Sequence, residues 1–380
     1  MTFGETFMWR VGVLFSRSGA TAVSETEHFF GTALAIEELN NAGGILGRPI
    51  EPVVYDPTSD PLSYRRFAER LLGDDGVNVI FGCSTSSCRK AVLPVVERRN
   101  GLLWYPSLYE GFEYSPNVIY TGAAPNQNSF QLSEYLIQNG GRRFYFIGTD
   151  YIYPRESNRI MRDLVESRGA EVIGEKYVPM LASTAELRAV IADIGAREPD
   201  VVFATIVGQS ARRFYRMYSD AGFDRRRRPV ASLTMVEGEI AAIGAQYCEG
   251  HIASATYFST LDQPENRSFV QKFRSRFGDG APVSMWSEMA YSQVHLFAKA
   301  LRETGTLQTE LLVEAALGQS FEAPEGRIAI EPENHHTWLT PRIGVLRRDG
   351  EFDIVWQAKA VVRPDPYLAV TPRVDAWLAH

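Results

Sequence analysis

The chain is short of cysteine: Cys83, Cys88 and Cys248 are all it has in 380 residues. Three thiols make no disulfide framework. Cys83 and Cys88, spaced C-x4-C, have no second pair and no nearby histidine to complete a four-ligand zinc site. Long apolar runs are missing too, and nothing approaches the ~18 residues of a membrane span. The opening MTFGETFMWRVGVLFS has an early Glu5, an interrupting Arg10 and only the short run Val11–Phe15. It does not read as a secretory leader, so the expectation is a cytoplasmic protein. Positive charge is in deficit, with 39 Lys and Arg against 46 Asp and Glu. That balance argues against direct nucleic-acid binding. The one basic block, Arg225–Arg228, reads as a solvated loop tip before Pro229.

Catalytic signatures are equally scarce. No G-x-G-x-x-G or G-x-x-x-x-G-K-[ST] follows the first apolar run, which disfavours a nucleotide cofactor. No G-x-S-x-G is present. Ser87-Cys88-Arg89-Lys90 matches S-x-x-K, but K-T-G is absent and Ser219-Asp220-Ala221 is only part of S-D-N. All six histidines are remote in sequence from Cys83. The expectation is a protein that is not an enzyme and holds no cofactor and no metal.

What is present is a regular alternation. The length favours two domains, and an apolar fraction of 45% places the chain among globular proteins. Strand candidates Arg10–Phe15, Pro49–Tyr55, Val77–Phe81, Gly101–Tyr105 and Val118–Thr121 alternate with helical segments. One helix opens at Ser24, with Glu27 as its capping-box partner. Another starts at Asp60-Pro61, and a third covers 86–98. A second set follows from Ser129: strands Arg143–Gly148, Glu171–Val178, Val201–Ile206 and Pro229–Leu233, with helices 129–139, 155–168, 185–196 and 209–221. Residues 268–304 read as long helical segments, and 312–318 as a short one. The tail 327–362 reads as strands with polar turns. This is an α/β chain with two doubly wound parallel sheets.

Ligands of such sheets bind beyond the carboxyl ends of the strands. Five strand ends carry hydroxyls or aromatics: Gly82–Ser87, Tyr105–Ser107, Thr149–Tyr153, Thr205–Gly208 and Thr234. Taken singly, such residues often only cap helices. Five facing groups read as a pocket. A helix starting near Ser86 aims free N–H groups there, and Ser84, Thr85, Ser86 and Ser107 add hydroxyls. Tyr105, Tyr151 and Tyr153 supply walls. Neutral hydroxyls and backbone groups suit a small uncharged ligand such as a carboxamide or urea. A free amino acid would also want a carboxylate for its ammonium group, and Glu237 offers one.

The run GCSTSSCRKAVLPVVERRNGLLWYPSLYEGFEYSPNVIYTGAAPNQNS, then GTDYIYPRESN, then RPDPY near the end, resembles the amide sensors that regulate amidase operons. Those are related to the urea- and short-chain-amide-binding proteins of ABC transporters. The resemblance runs from Arg10 to about Tyr367. It implies a type I periplasmic-binding-protein fold, with two lobes and three crossovers near 121–125, 252–257 and 327–331. One lobe would comprise 1–123 and 256–328, the other 124–255 and 329–380. It implies ligand contacts at Ser84, Ser86, Tyr105, Ser107, Leu108, Tyr151, Tyr153, Val207 and Thr234. Relatives carry an aromatic residue where Ser84 stands, so a ligand larger than acetamide is expected. The implied function is a small-amide sensor for an amidase or nitrile hydratase operon. It would act through a regulatory protein partner such as an RNA-binding antiterminator. The alternative is the solute-binding subunit of an ABC transporter for urea, short amides or branched-chain amino acids. Self-association through the helices at 268–304 is also open.

Overall fold

The computed structural model describes residues 8–369. The leader reading of the first residues, His380 and the outer ends of the expected lobes lie outside them. In chain order the first elements are β1 (Trp9–Leu14), α1 (Ala22–Asn41), β2 (Ile50–Tyr55), α2 (Pro61–Gly73), β3 (Val79–Gly82), α3 (Ser86–Arg99), β4 (Leu102–Tyr105) and β5 (Val118–Tyr120). Next come α4 (Ser129–Gln138), β6 (Arg143–Thr149), α5 (Ile152–Glu166), β7 (Glu171–Val178), α6 (Thr184–Arg197), β8 (Val201–Thr205), α7 (Gly208–Asp220), β9 (Val230–Ser232), α8 (Glu237–Ile243) and β10 (Ile252–Ala255). The chain continues through α9 (Pro264–Phe277), α10 (Met285–Thr304), α11 (Thr309–Ala316), β11 (Ser320–Ala323), β12 (Gly326–Ile330), β13 (Thr337–Trp338), β14 (Arg342–Leu346) and β15 (Phe352–Gln357).

One sheet runs β2-β1-β3-β4-β5 and is parallel throughout. Helices cover both its faces, so β3 (VIFG) and β4 (LLWY) are buried along their whole length. A second sheet runs β15-β14-β10-β9-β8-β6-β7. It is parallel from β10 to β7, but β14 and β15 add an antiparallel edge. A third, three-stranded sheet, β11-β12-β13, adjoins the first through a bridge from Tyr120 to His336, whose rings stack at 4.3 Å. The chain leaves the first sheet after β5, returns to it after β10, and crosses again between β13 and β14. After the return, Phe297 of α10 meets Phe81 and Trp104 edge-on, and Thr309 of α11 donates to the Asn100 carbonyl.

Local chemistry sets most of the ends. Asp60 caps α2, accepting from the Ser63 N–H at 2.8 Å, with Pro61 in the first turn. Ser183 and Glu186 form a capping box on α6. Gly44, at φ 76°, returns its N–H to the Leu39 carbonyl and ends α1. The box expected at Ser24 and Glu27 does not form. α1 begins earlier, at Ala22, and Glu27 is drawn instead to Ser284. α5 begins at Ile152, ahead of the expected Arg155, because Pro154 sits in the first turn, where its missing N–H costs nothing. The segment 268–304 is two helices split by Gly278 and Gly280. α10 is buried over most of its length against α1, whereas α9 buries only Asn266, Phe269 and Phe273 and leaves its other side exposed.

Candidate functional site

A cavity lies where the carboxyl ends of the two larger sheets face each other. Ser84, Thr85, Ser86, Ser107, Leu108, Tyr151, Tyr153, Val207 and Thr234, all expected from the sequence, line it together. Thr21, Ser24, Gly208, Met235, Glu239 and Trp286 complete the wall. The space between these residues, counted out to the solvent at its mouth, is about 530 Å³.

Four long helices start at this cavity. Their N-cap residues Thr21 (α1), Thr85 (α3), Tyr151 (α5) and Val207 (α7) all line it. Only Thr85 caps with its side chain, accepting from the Cys88 N–H at 3.3 Å. The other three helices have no side-chain cap. α1 gives its Ser24 N–H to Glu239, while the first N–H groups and dipoles of α5 and α7 give the cavity a positive field.

Against that field stands one carboxylate. Glu239 is buried, and its Oε2 has no partner. Burial pushes its carboxyl up to about 7, opposed by the charge of Arg212 and a backbone hydrogen bond from Ser24. The Tyr153 hydroxyl and the Trp286 Nε1–H are likewise buried without partners. A polar group on the wall left unpaired is costly, so these atoms mark where a ligand would place complementary groups. Leu108, Val207 and Met235 supply the apolar part of the wall.

Two expectations change. Tyr105 does not reach the cavity. It ends β4 behind α3, where its hydroxyl donates to the Ser84 carbonyl at 2.6 Å and its ring lies 4.9 Å from the Arg89 guanidinium. It buttresses the wall rather than forming it. Glu237 is not the carboxylate at the cavity either, because its Oε1 is turned away to accept from the Ser259 N–H at 2.8 Å. Glu239, one half-turn later on α8, takes that place. Behind α3, Arg89 is wholly buried between Glu110 (3.3 Å) and Glu113 (2.7 Å), and Ser86 Oγ donates to Glu110. Cys83, Cys88 and Cys248 are buried free thiols, and burial raises all three.

Thr21 and Ser24 follow β1 as the other clusters follow their strands, so the same strand-end rule would have found them. Trp286 arrives on a helix from the last third of the chain, and no local pattern announces it.

Residues 9–373 match the periplasmic binding protein domain. The chain belongs to the periplasmic binding protein family. Among curated relatives, the Leu/Ile/Val-binding protein homolog 6 of Brucella melitensis is 25% identical over 336 residues, covering 86% of this chain and 84% of its own. A solved solute-binding protein of an ABC transporter from R. palustris, in complex with benzoate, superposes with a TM-score of 0.85 at 20% identity. It covers 94% of this chain and 98% of its own. The match to limonene hydroxylase of Geobacillus stearothermophilus is 33% identical over 129 residues, 34% of this chain, and takes in only 24% of that protein. This periplasmic binding protein therefore has the expected type I fold, and its family consists of binding proteins rather than enzymes. The narrower kinship with amidase-operon sensors is not what these comparisons show. The two full-length relatives are named as binding proteins, one of them of a transporter.

Proposed function

We infer that the protein is the solute-binding component of an uptake system, and that its solute is a small amino acid with an apolar side chain. The observation that carries this reading is the pairing of the uncapped N-termini of α5 and α7 with a buried carboxylate, Glu239, on the wall of one cavity. A zwitterion satisfies both ends. Its carboxylate takes the free N–H groups and the hydroxyls of Ser84, Thr85 and Ser107, and its ammonium meets Glu239. Leu108, Val207 and Met235 take the side chain, and Tyr151, Tyr153 and Trp286 close the wall. The names of the full-length curated relatives support the same class. Capture would work by closure of two lobes, 1–123 with 256–328 over 124–255 with 329–380, with the transporter recognising the closed state.

A second reading is the neutral-amide sensor, acting in the cytoplasm on a regulatory protein. It is favoured by one feature: among the described residues, no lysine or arginine lines the cavity. A carboxamide would give its N–H groups to Glu239 and its carbonyl to the hydroxyls.

Thermal unfolding with leucine, valine, butyramide, urea and benzoate separates these readings. A solute at 100 times its Kd adds about 2.7 kcal/mol, a visible shift of the midpoint. A shift with amino acids alone supports the uptake reading. A shift with butyramide or urea alone replaces it with the sensor.

A further inference from the structure

Beside the cavity the two halves of the molecule touch at a contact that adjoins Glu239 but is centred on residues outside the cavity wall, Glu27 and Gly238. Glu27, on α1, is 3% exposed. One of its oxygens accepts from the hydroxyl of Ser284, the N-cap of α10. The other, Oε1, has no partner. It sits over Gly238 of α8 so closely that a Cβ there would lie 1.5 Å from it. Gly238 is flanked by Glu237 and Glu239, each with a buried Oε2 lacking a partner. The first half of the fold thus inserts a carboxyl between two carboxyls of the second. Nearby, Gly208 of α7 stands against the Ala20 carbonyl, where a Cβ would come within 2.7 Å.

The charged and titratable surroundings of Glu27 are few. Arg212, on α7, lines the same crevice, and its Nε has no partner. Tyr257 lies within electrostatic reach of both Glu27 and Glu237. Glu351 acts on Glu237. One arginine cannot balance three carboxylates taken out of water together, so the seated arrangement needs at least one proton.

We propose that Glu27 is a positioning residue for solute capture: protonated, it latches α1 onto Gly238 of α8, and its ionisation releases the latch. Burial holds its carboxyl well above the ordinary range; the Ser284 hydrogen bond opposes this, and the charges of Glu239 and Glu237 add to it. The latch rests on the two-lobe capture reading for its consequence. Its test uses no ligand, so a wrong solute class and a wrong latch fail separately.

The test is small-angle X-ray scattering of the ligand-free protein at about pH 6 and about pH 9, on either side of an ordinary neutral range. Wild type should be compact at the lower pH and show a larger radius of gyration at the higher. Glu27→Gln, which mimics the protonated carboxyl, should stay compact at both. Gly238→Val, which occupies the seat, should be expanded at both. Cooperative thermal unfolding of each variant shows that it is folded. If Glu27→Gln expands with pH as wild type does, or Gly238→Val stays compact at pH 6, the latch is wrong.

Discussion

Among the described residues Glu239 is the one carboxylate on the cavity wall, and its neighbours fix how it behaves. Burial raises it to about 7 in the empty protein. An ammonium beside it favours the ionised form, so amino-acid binding should strengthen as pH rises through about 7. Below that, binding should release a proton. Calorimetry in two buffers of different ionisation enthalpy reads that proton directly. Glu239→Gln should weaken amino-acid binding by roughly 10- to 100-fold, the range of a lost hydrogen bond to a charged group at ~1.5–3 kcal/mol. It should also remove the proton release. Ser84 gives a separate test of cavity size. Ser84→Trp returns an aromatic to that wall position. It should weaken leucine binding at least tenfold while sparing alanine, and competition titration measures the ratio.

At the scale of elements, the site is a convergence of helix starts held in place from behind. α3 is the best supported of them, because Arg89 ties it to Glu110 and Glu113 inside the fold. Removing a buried charge leaves its partners unpaired, so Arg89→Ala should cost about 3–5 kcal/mol in urea unfolding. This support was not legible in the sequence. The hydroxyls of 82–87 stand out in a nine-residue window, whereas Glu110 and Glu113 reach Arg89 from a loop more than 20 positions away. The caps divide the same way. Asp60-Pro61 and Ser183-x-x-Glu186 obey local rules and were readable. Ser24-x-x-Glu27 has the same spacing, yet tertiary packing against α10 and α8 takes its glutamate elsewhere. Tyr105 and Glu237 were misplaced for a similar reason. Each lies two residues before a cavity residue: about half a helical turn separates Glu237 from Glu239, and Tyr105 is the last residue of β4 whereas Ser107 lies in the loop beyond it.

For the whole molecule, the alternation of apolar runs and helices was enough to show two doubly wound sheets. The antiparallel edge of β14 and β15 and the small β11-β12-β13 sheet depend on pairings between distant segments, which no window reveals. Burial of ionisable groups has a consequence at this scale. Glu25, Glu237, Glu239 and Glu325 are each raised to about 7, while His251, His295 and His336 are lowered to about 4 and His28 to about 3. Between about pH 4.5 and 6.5 the folded state keeps carboxyl protons that the unfolded chain has lost, which lowers stability as pH rises. Over the same range the unfolded histidines bind protons that the folded ones refuse, which raises it. The two slopes oppose. Above about pH 6.5 the histidine slope fades while the folded carboxyls begin to ionise, so stability should go on falling, by on the order of 1 kcal/mol over the next pH unit, and level off above about pH 8. Urea midpoints at about pH 5.5, 6.5 and 7.5 should show a shallow first interval and a steeper second one.

The central claim, a zwitterion held between helix N-termini and Glu239, is tested most directly by one calorimetric comparison. Ligand-free protein is titrated with leucine and with isocaproamide, which keeps an apolar tail but has neither the ammonium nor the carboxylate. The account predicts saturable binding of leucine and at least tenfold weaker binding of the amide. Tight binding of the amide with none of leucine would contradict it and make the cavity an amide site.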